Sequence, residues 1–176
     1  TTLENFIGEE QDVLENIKKL HNLGYLPITV KSIDEGENLP INIPCFTVET
    51  KEGFAWLFGY LEPQITSLTW KSITTATIAR EYYRVGKLYG NLTCDNLNHL
   101  PFQFHDFGSR GMSGVDDAIR IGASHLLAFN GTESFGALDY VEDIYEYDYD
   151  TEGCLASTIK ATEHSVSTTN ILYELG

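Results

Sequence analysis

Cysteine is scarce in this sequence, and basic side chains are outnumbered. The chain of 176 residues holds 3 cysteines, Cys45, Cys94 and Cys154, with no CxxC spacing. An odd count cannot pair fully within one chain, which argues against a disulfide framework or a cysteine zinc scaffold. No apolar run nears the roughly 18–20 residues of a membrane span, and Thr1–Gly8 lack the basic start and apolar stretch of a secretory signal. The expectation is a soluble chain in a reducing, cytoplasmic setting, with no membrane partner. Lys and Arg number 11 against 26 Asp and Glu, a formal net charge of -15. From Tyr89 to Gly176 the only bases are Arg110, Arg120 and Lys160. Such a chain repels phosphate backbones, so nucleic acid is not expected as a partner. An anionic ligand would have to be held locally, by a few cations or by N–H groups at helix starts. What remains is a globular composition, 42% hydrophobic and 21% charged, in a chain long enough to bury a core.

Residues 9–23 place Val13, Leu14, Ile17 and Leu20 on one helical stripe, with acids at the start, Lys18 and Lys19 near the end and Gly24 as a stop. Residues 26–50 read as short strands of a small sheet, with Pro27, Pro40 and Pro44 pointing to edge strands. Phe54–Leu61 and Thr66–Tyr89 read as two helical pieces, with Pro63 expected to end or kink the first, and Asn91–Pro101 as a linker. After Pro101 the pattern is strand, helix, strand, helix, strand: Phe102–Phe107, Gly114–Ser124, Leu126–Phe129, Phe135–Tyr145 and Leu155–Ala161. Such alternation argues for parallel strands joined by helical crossovers, a small α/β sheet or part of a (β/α) barrel. Three portions result: 1–53 as helix plus short strands, 54–100 as connecting helices, and 101–176 as a βαβαβ unit.

Side chains suited to chemistry gather where these strands end. Period-2 alternation puts Phe102 and Phe104 on one face, under the helices, and Gln103 and His105 on the other. Phe107 and Arg110, three residues apart in a glycine-bearing turn, suit a flat heterocycle, the ring stacking and the guanidinium donating; equally, they read as a core Phe beside an ion-paired surface Arg. Glu133 lies at the second strand's end, either as a carboxylate facing a ligand or as a first-turn acid behind Thr132 as N-cap. His164, after the third strand, suits a base, a metal ligand, a nucleophile or a hydrogen-bonded structural residue. His105, Asp106, Glu163 and His164 lack any recognised metal-ligand spacing, so no metal site is assigned, and no Cys sits in a basic turn.

In order, His105-Asp106-Phe107-Gly108-Ser109-Arg110-Gly111, then Ile121-Gly122-Ala123-Ser124 with Phe129-Asn130-Gly131-Thr132-Glu133, then Ala161-Thr162-Glu163-His164-Ser165, closely resemble the nicotinamide phosphoribosyltransferase family. That family's pattern is HDFG-x-RG, IGAS followed by F-x-GT-acid, and AAEHS. The resemblance extends weakly upstream through Leu26-Pro27-Ile28, Glu35-Gly36 and Phe46-Thr47-Val48-Glu49. It implies a type II phosphoribosyltransferase fold, an incomplete α/β barrel beside a sheet-and-helix domain in a homodimer, of which this chain would hold about three barrel strands. The implied activity is that of a pentosyltransferase in NAD biosynthesis, joining nicotinamide to phosphoribosyl pyrophosphate to give nicotinamide mononucleotide and pyrophosphate, with Mg²⁺ and optional coupling to ATP hydrolysis.

By position, the resemblance makes Phe107 one of two aromatic plates around the pyridine ring and Arg110 a contact to base and phosphate. Glu133 would bind the carboxamide nitrogen where the family usually has Asp, and His164 would be phosphorylated by ATP. His105, Thr158 and Ile159 would line the tunnel to the base site. Lys160 stands where the family has a proline. The family's chain is much longer. Its upstream Asp-Ser-Tyr-Lys segment, whose Tyr is the second plate, and its downstream strands and glycine-rich phosphate loops have no counterpart here. The expectation is a middle portion of the enzyme, inactive alone and binding neither Mg²⁺ nor ATP by itself. The alternatives are a non-catalytic nicotinamide- or nucleotide-binding or assembly module, and a purely structural domain whose open edge pairs with another copy.

Overall fold

The computed structural model describes residues 11–176 together with Thr2 and Asn5. The predicted helix start at residues 9 and 10 lies outside the described residues, as does most of Thr1–Gly8. The fold is rich in α-helix, with a small antiparallel sheet, and divides into two compact units, Thr1–Thr69 and Trp70–Gly176.

In the first unit, helix α1 (Gln11–Leu23) half-buries Val13, Leu14, Ile17 and Leu20 on the predicted stripe. It ends at Gly24, whose φ of 74° turns the chain left-handed while its N–H bonds back to the His21 carbonyl at 3.2 Å. Strands β1 (Ile28–Ser32) and β2 (Phe46–Thr50) then pair antiparallel, with Ile28 opposite Thr50 and Val30 opposite Val48. Both are edge strands, as the flanking prolines suggest, and Lys31 reaches Glu49 across the pair at 2.8 Å.

After a 3₁₀ turn at Ala55–Leu57, one helix, α2 (Phe58–Thr93), runs through both predicted helices and past the predicted break. Pro63 lies inside it. A proline forfeits one i→i−4 bond, here to the carbonyl of Gly59, and a 36-residue helix retains its bonds on both sides. Nor do the threonines break it. Thr69, Thr74, Thr77 and Thr93 each donate to the carbonyl four residues back, at 2.7–2.9 Å.

In the second unit the helices match the sequence and the strands do not. Helices α3 (Val115–His125) and α4 (Gly136–Tyr145) lie within a residue of expectation, a short helix α5 (Tyr149–Glu152) sits in the acidic loop, and α6 (His164–Leu175) follows. The three expected parallel strands are reduced to isolated parallel bridges, Asp106 with Thr132 and Gly131 with Ser157. No barrel forms among the described residues. The reason lies in where the backbone groups go. Leu100–Phe102 winds into a 3₁₀ turn with Pro101 as its second residue, and the N–H of Gln103 bonds to the Leu100 carbonyl. Residues 126–129 continue the turns of α3, their N–H groups bonding to carbonyls between Gly122 and His125. Local bonds thus use up the donors a ladder needs. Phe104, expected under the helices, packs on Tyr82 and Phe129 at ring separations of 5.3 and 5.2 Å, whereas Phe102 is exposed.

The core of this unit is built by small residues. Ala123, Leu126, Ala137, Val141 and Ala156 form its centre, and Gly122 lets α3 approach α4 so closely that a Cβ there would lie 2.8 Å from Cβ of Ser134. Phe129, only 1% exposed, is ringed by Tyr83, Phe104 and His125. Phe129→Ala is expected to cost about 3–5 kcal/mol of stability, read by urea denaturation. A loss under about 1 kcal/mol would mean that this cluster does not anchor the unit.

Candidate functional site

Each of the three bridged segments brings a polar side chain to the same place. Asp106 N–H bonds to the Gly131 carbonyl at 3.1 Å, Glu133 N–H to the Asp106 carbonyl at 2.9 Å, and Ser157 N–H to the Asn130 carbonyl at 2.9 Å. One residue beyond or before these contacts stand His105, Glu133 and Thr158. Glu133 Oε1 accepts from His105 Nε2 at 3.0 Å and from the Thr158 hydroxyl at 2.6 Å. The carboxylate therefore ties the first segment to the third. The bond from Thr158 holds the Glu133 carboxyl below the usual range; partial burial opposes it, and His105 and the Ile159 N–H add to the lowering.

His105 is nearly enclosed, its side chain 5% exposed against 39% for Glu133. An ionised carboxylate only accepts, so His105 Nε2 is the donor of this bond. Nδ1 lies against Gly131, where any Cβ would overlap it; glycine is needed here for close approach rather than for its φ. Phe107 packs on the other side of His105, at a ring separation of 4.6 Å and an angle of 44°, and is itself 51% exposed. Its open face is free for a further flat group.

The remaining predicted residues are placed differently. Arg110 sits in the 3₁₀ turn Gly108–Gly111, is exposed and has no ion pair among the described residues; the alternative of an ion-paired surface Arg is not what the fold shows. Ile159 is exposed beside Thr158. His164 opens α6, exposed, and no hydrogen bond or ring contact joins its side chain to the other site residues among those described. Glu163 serves as the N-cap of α6, accepting from the N–H groups of Ser165 and Val166 at 3.0 and 3.3 Å. Thr132 is not the N-cap of α4, which starts at Gly136; its hydroxyl instead accepts from Ser134 N–H at 2.9 Å. Among the described residues no group of three or more His, Cys, Asp or Glu is placed to hold a metal ion. None of their helices is long and apolar enough to cross a membrane.

Sequence reasoning weighed Asp106 only as a metal ligand, and it missed Ser109, Thr132 and Ser134 as partners. Asp106 Oδ1 accepts from Gly108 N–H at 2.8 Å; Oδ2 accepts from Thr132 Oγ1 at 2.8 Å and from Ser134 Oγ at 3.2 Å. Ser134 and Ser109 hydroxyls meet at 2.7 Å. The available signal was an Asp followed by Gly two residues on, an Asx-turn pattern. Alongside this network an open cleft of about 410 Å³ is lined by Ser109, Val115, Ile119, Glu133, Ser134 and Phe135, among others.

A carboxylate and an exposed ring thus gather at the parallel-bridged segments, with a guanidinium that has no ion pair among the described residues in the turn that follows. No family model matches the chain. It is, however, 41% identical over 165 residues to a nicotinamide phosphoribosyltransferase of Acinetobacter baylyi, a match covering 93% of this chain and 32% of that relative. Relatives of the same name from Mycoplasma pneumoniae and Xanthomonas campestris are 31% and 32% identical, over 87% and 82% of this chain and 31% and 30% of their own length. By sequence the chain is similar over most of its length to nicotinamide phosphoribosyltransferases, and it spans about a third of the length of the curated relatives it matches.

Thr158→Val removes the shorter of the two bonds to Glu133. The Glu133 carboxyl should then titrate closer to the usual glutamate range. Because its pKa is depressed in the fold, the stability it adds is present above the unfolded pKa and lost as pH falls through the folded one. In the variant that acid-side loss should shrink. Carboxyl ¹³C shifts followed against pH check this, and an unmoved titration would remove Thr158 from the site.

Proposed function

We propose that this chain forms one wall of the nicotinamide site of a phosphoribosyltransferase, and that it acts as part of a larger enzyme rather than alone. The observation that carries the reading is the junction of His105, Glu133 and Thr158, with the Phe107 ring tilted against His105. Nicotinamide is neutral and planar, so its affinity comes from stacking and amide hydrogen bonds. Phe107 offers the open ring face. Glu133, held ionised by its two donors, has acceptor capacity left for the carboxamide NH₂ and repels the carboxylate of nicotinic acid. His105, Thr158 and Ile159 border that contact. Arg110, with no ion pair among the described residues, suits the base or the phosphate of phosphoribosyl pyrophosphate.

The three bridged segments with α3 and α4 between them are read as counterparts of the first barrel strands and their crossovers. His164 is read as the residue phosphorylated by ATP: an imidazole nitrogen attacks the γ-phosphorus, the bond to ADP breaks, and ADP leaves with its electron pair. Its position at the N-terminus of α6 supports this, since the field of the first turn stabilises an added phosphoryl anion. Among the described residues no three His, Cys, Asp or Glu side chains cluster around a common point, and no step is routed through Mg²⁺. Dependence on further chain is supported by the share of the relatives' length that is spanned and by α2, which leaves Trp70, Ile73, Ile78, Val85 and Leu88 exposed.

Nicotinamide titrated into the ¹⁵N-labelled chain should shift signals at residues 105–110, 131–134 and 157–159, and equal nicotinic acid should not. Glu133→Gln should narrow that discrimination. Shifts scattered elsewhere, or equal shifts with both ligands, would reject the base-wall reading. Separately, the enzyme that carries this sequence should take up acid-labile phosphate from ATP, and His164→Ala should abolish it. Uptake unchanged in the variant would reject that role.

A further inference from the structure

We propose that Asp106 is the positioning residue of this site, a single carboxylate that sets the turn carrying Phe107 and Arg110 against the turn carrying Glu133. The inference rests on the base-wall reading above and deepens it. Neither Phe107 nor Glu133 is placed by a β-ladder, because each of their segments contributes only isolated bridges. Asp106 supplies what the ladder does not. Its own N–H and C=O bond to Gly131 and Glu133, so its backbone fixes the register of the two segments. Its side chain then fixes both turns beyond that register. Oδ1 takes the Gly108 N–H, closing the turn that aims Phe107 and Arg110, and Oδ2 takes the hydroxyls of Thr132 and Ser134, which flank Glu133. A Cβ at Gly108 would lie 2.9 Å from Oδ1, so the turn closes tightly on the carboxylate.

The proton directions in the network require a carboxylate. Thr132 Oγ1 accepts from Ser134 N–H, so its own proton is left to donate, and Asp106 Oδ2 is where it goes. Ser134 Oγ donates to the same oxygen and accepts from Ser109. An acceptor of two hydroxyls and one N–H has no neutral substitute of the same shape. In Asp106→Asn either the amide NH₂ faces two donors, or, flipped, it faces the Gly108 N–H. Asp106 does not reach the ligand in this scheme. It acts on the base through Glu133 and Phe107.

Asp106→Asn, Thr132→Val and Thr132→Ser, made in the full 176-residue chain, test the assignment with two readouts, the ¹³C titration of the Glu133 carboxyl and the NMR affinity for nicotinamide. In Asp106→Asn, with helical circular dichroism retained, Glu133 should titrate closer to the usual range. Nicotinamide affinity should fall roughly 5- to 10-fold, the size of one lost net hydrogen bond. Thr132→Val should reproduce the loss, Thr132→Ser should restore it, and the double variant with Asp106→Asn should add little, because the two share one interaction. A general loosening of the fold would not be rescued by a serine hydroxyl. A folded Asp106→Asn chain with both readouts unchanged overturns the proposal. If Asp106→Asn fails to fold, equal behaviour of the Val and Ser variants at 132 overturns it, and a difference between them supports it. If the wild-type chain binds no nicotinamide, the base-wall reading falls while the Glu133 titration still decides the role of Asp106.

Discussion

Three stretches of chain meet here with too few backbone bonds to hold their register, and the side chains at the meeting point make up the difference. A strand in a full ladder has its position set by a bond at nearly every residue. The segments at Asp106, Thr132 and Ser157 have isolated bridges only. What fixes them is polar and local: Glu133 bonded to His105 and Thr158, Asp106 bonded to Gly108, Thr132 and Ser134. The groups available to a ligand are therefore among the groups that hold the segments together. Such a site is well oriented only when every partner is present, since a partly satisfied polar network in a low-dielectric setting is costly.

Close approach makes the network possible. Gly131 gives the His105 ring its place, Gly122 gives way to Ser134 and Ala137, and Gly136 admits Ile119, whose Cδ1 would lie 2.8 Å from a Cβ there. The first of these acts directly on the site and the other two act through packing, bringing α3 under the start of α4 so that Ser134 can reach both Asp106 and Ser109. Behind them Phe129 fills the space between α2 and the aromatic residues of the first segment. The Lys71 ammonium on α2 bonds to Ser113 and Asp117 at the entrance to α3, and that ammonium, with the Ser113 N–H, holds the Asp117 carboxyl below the usual range. It secures the chain that leaves Arg110.

Helices were legible in the sequence because their signals are local and periodic. The stripe of α1 and the left-handed stop at Gly24 both act within a turn or two. The strands misled for the same reason. Alternation in Phe102–Phe107 is real, but Pro101 lies within a 3₁₀ turn that takes in Phe102, and Phe104 is held by ring contacts rather than by a ladder. Pro63 misled in the other direction, as a single missing bond matters less in a long helix than local rules imply. At the site, the family resemblance singled out His105, Glu133 and Thr158 residue by residue, and no periodicity did so. Asp106 as a hub, and Thr132 as its donor, depend on hydroxyl directions across two turns, and no periodicity encodes those.

The length of Glu133 bears on selectivity once the base-wall reading is adopted. The extra methylene relative to aspartate lets one carboxylate oxygen reach His105 on the first segment and Thr158 on the third at once. The longer side chain is thus tethered sideways between its neighbours, its reach used within the wall rather than across the cleft. A tethered, ionised carboxylate is a stiff acceptor. It gains more from an amide donor that arrives in line than a swinging one does, because less rotamer freedom is lost on binding. On that reading it also cannot turn away from an incoming carboxylate, and rejection of acids would rest on the same three residues that hold the segments together.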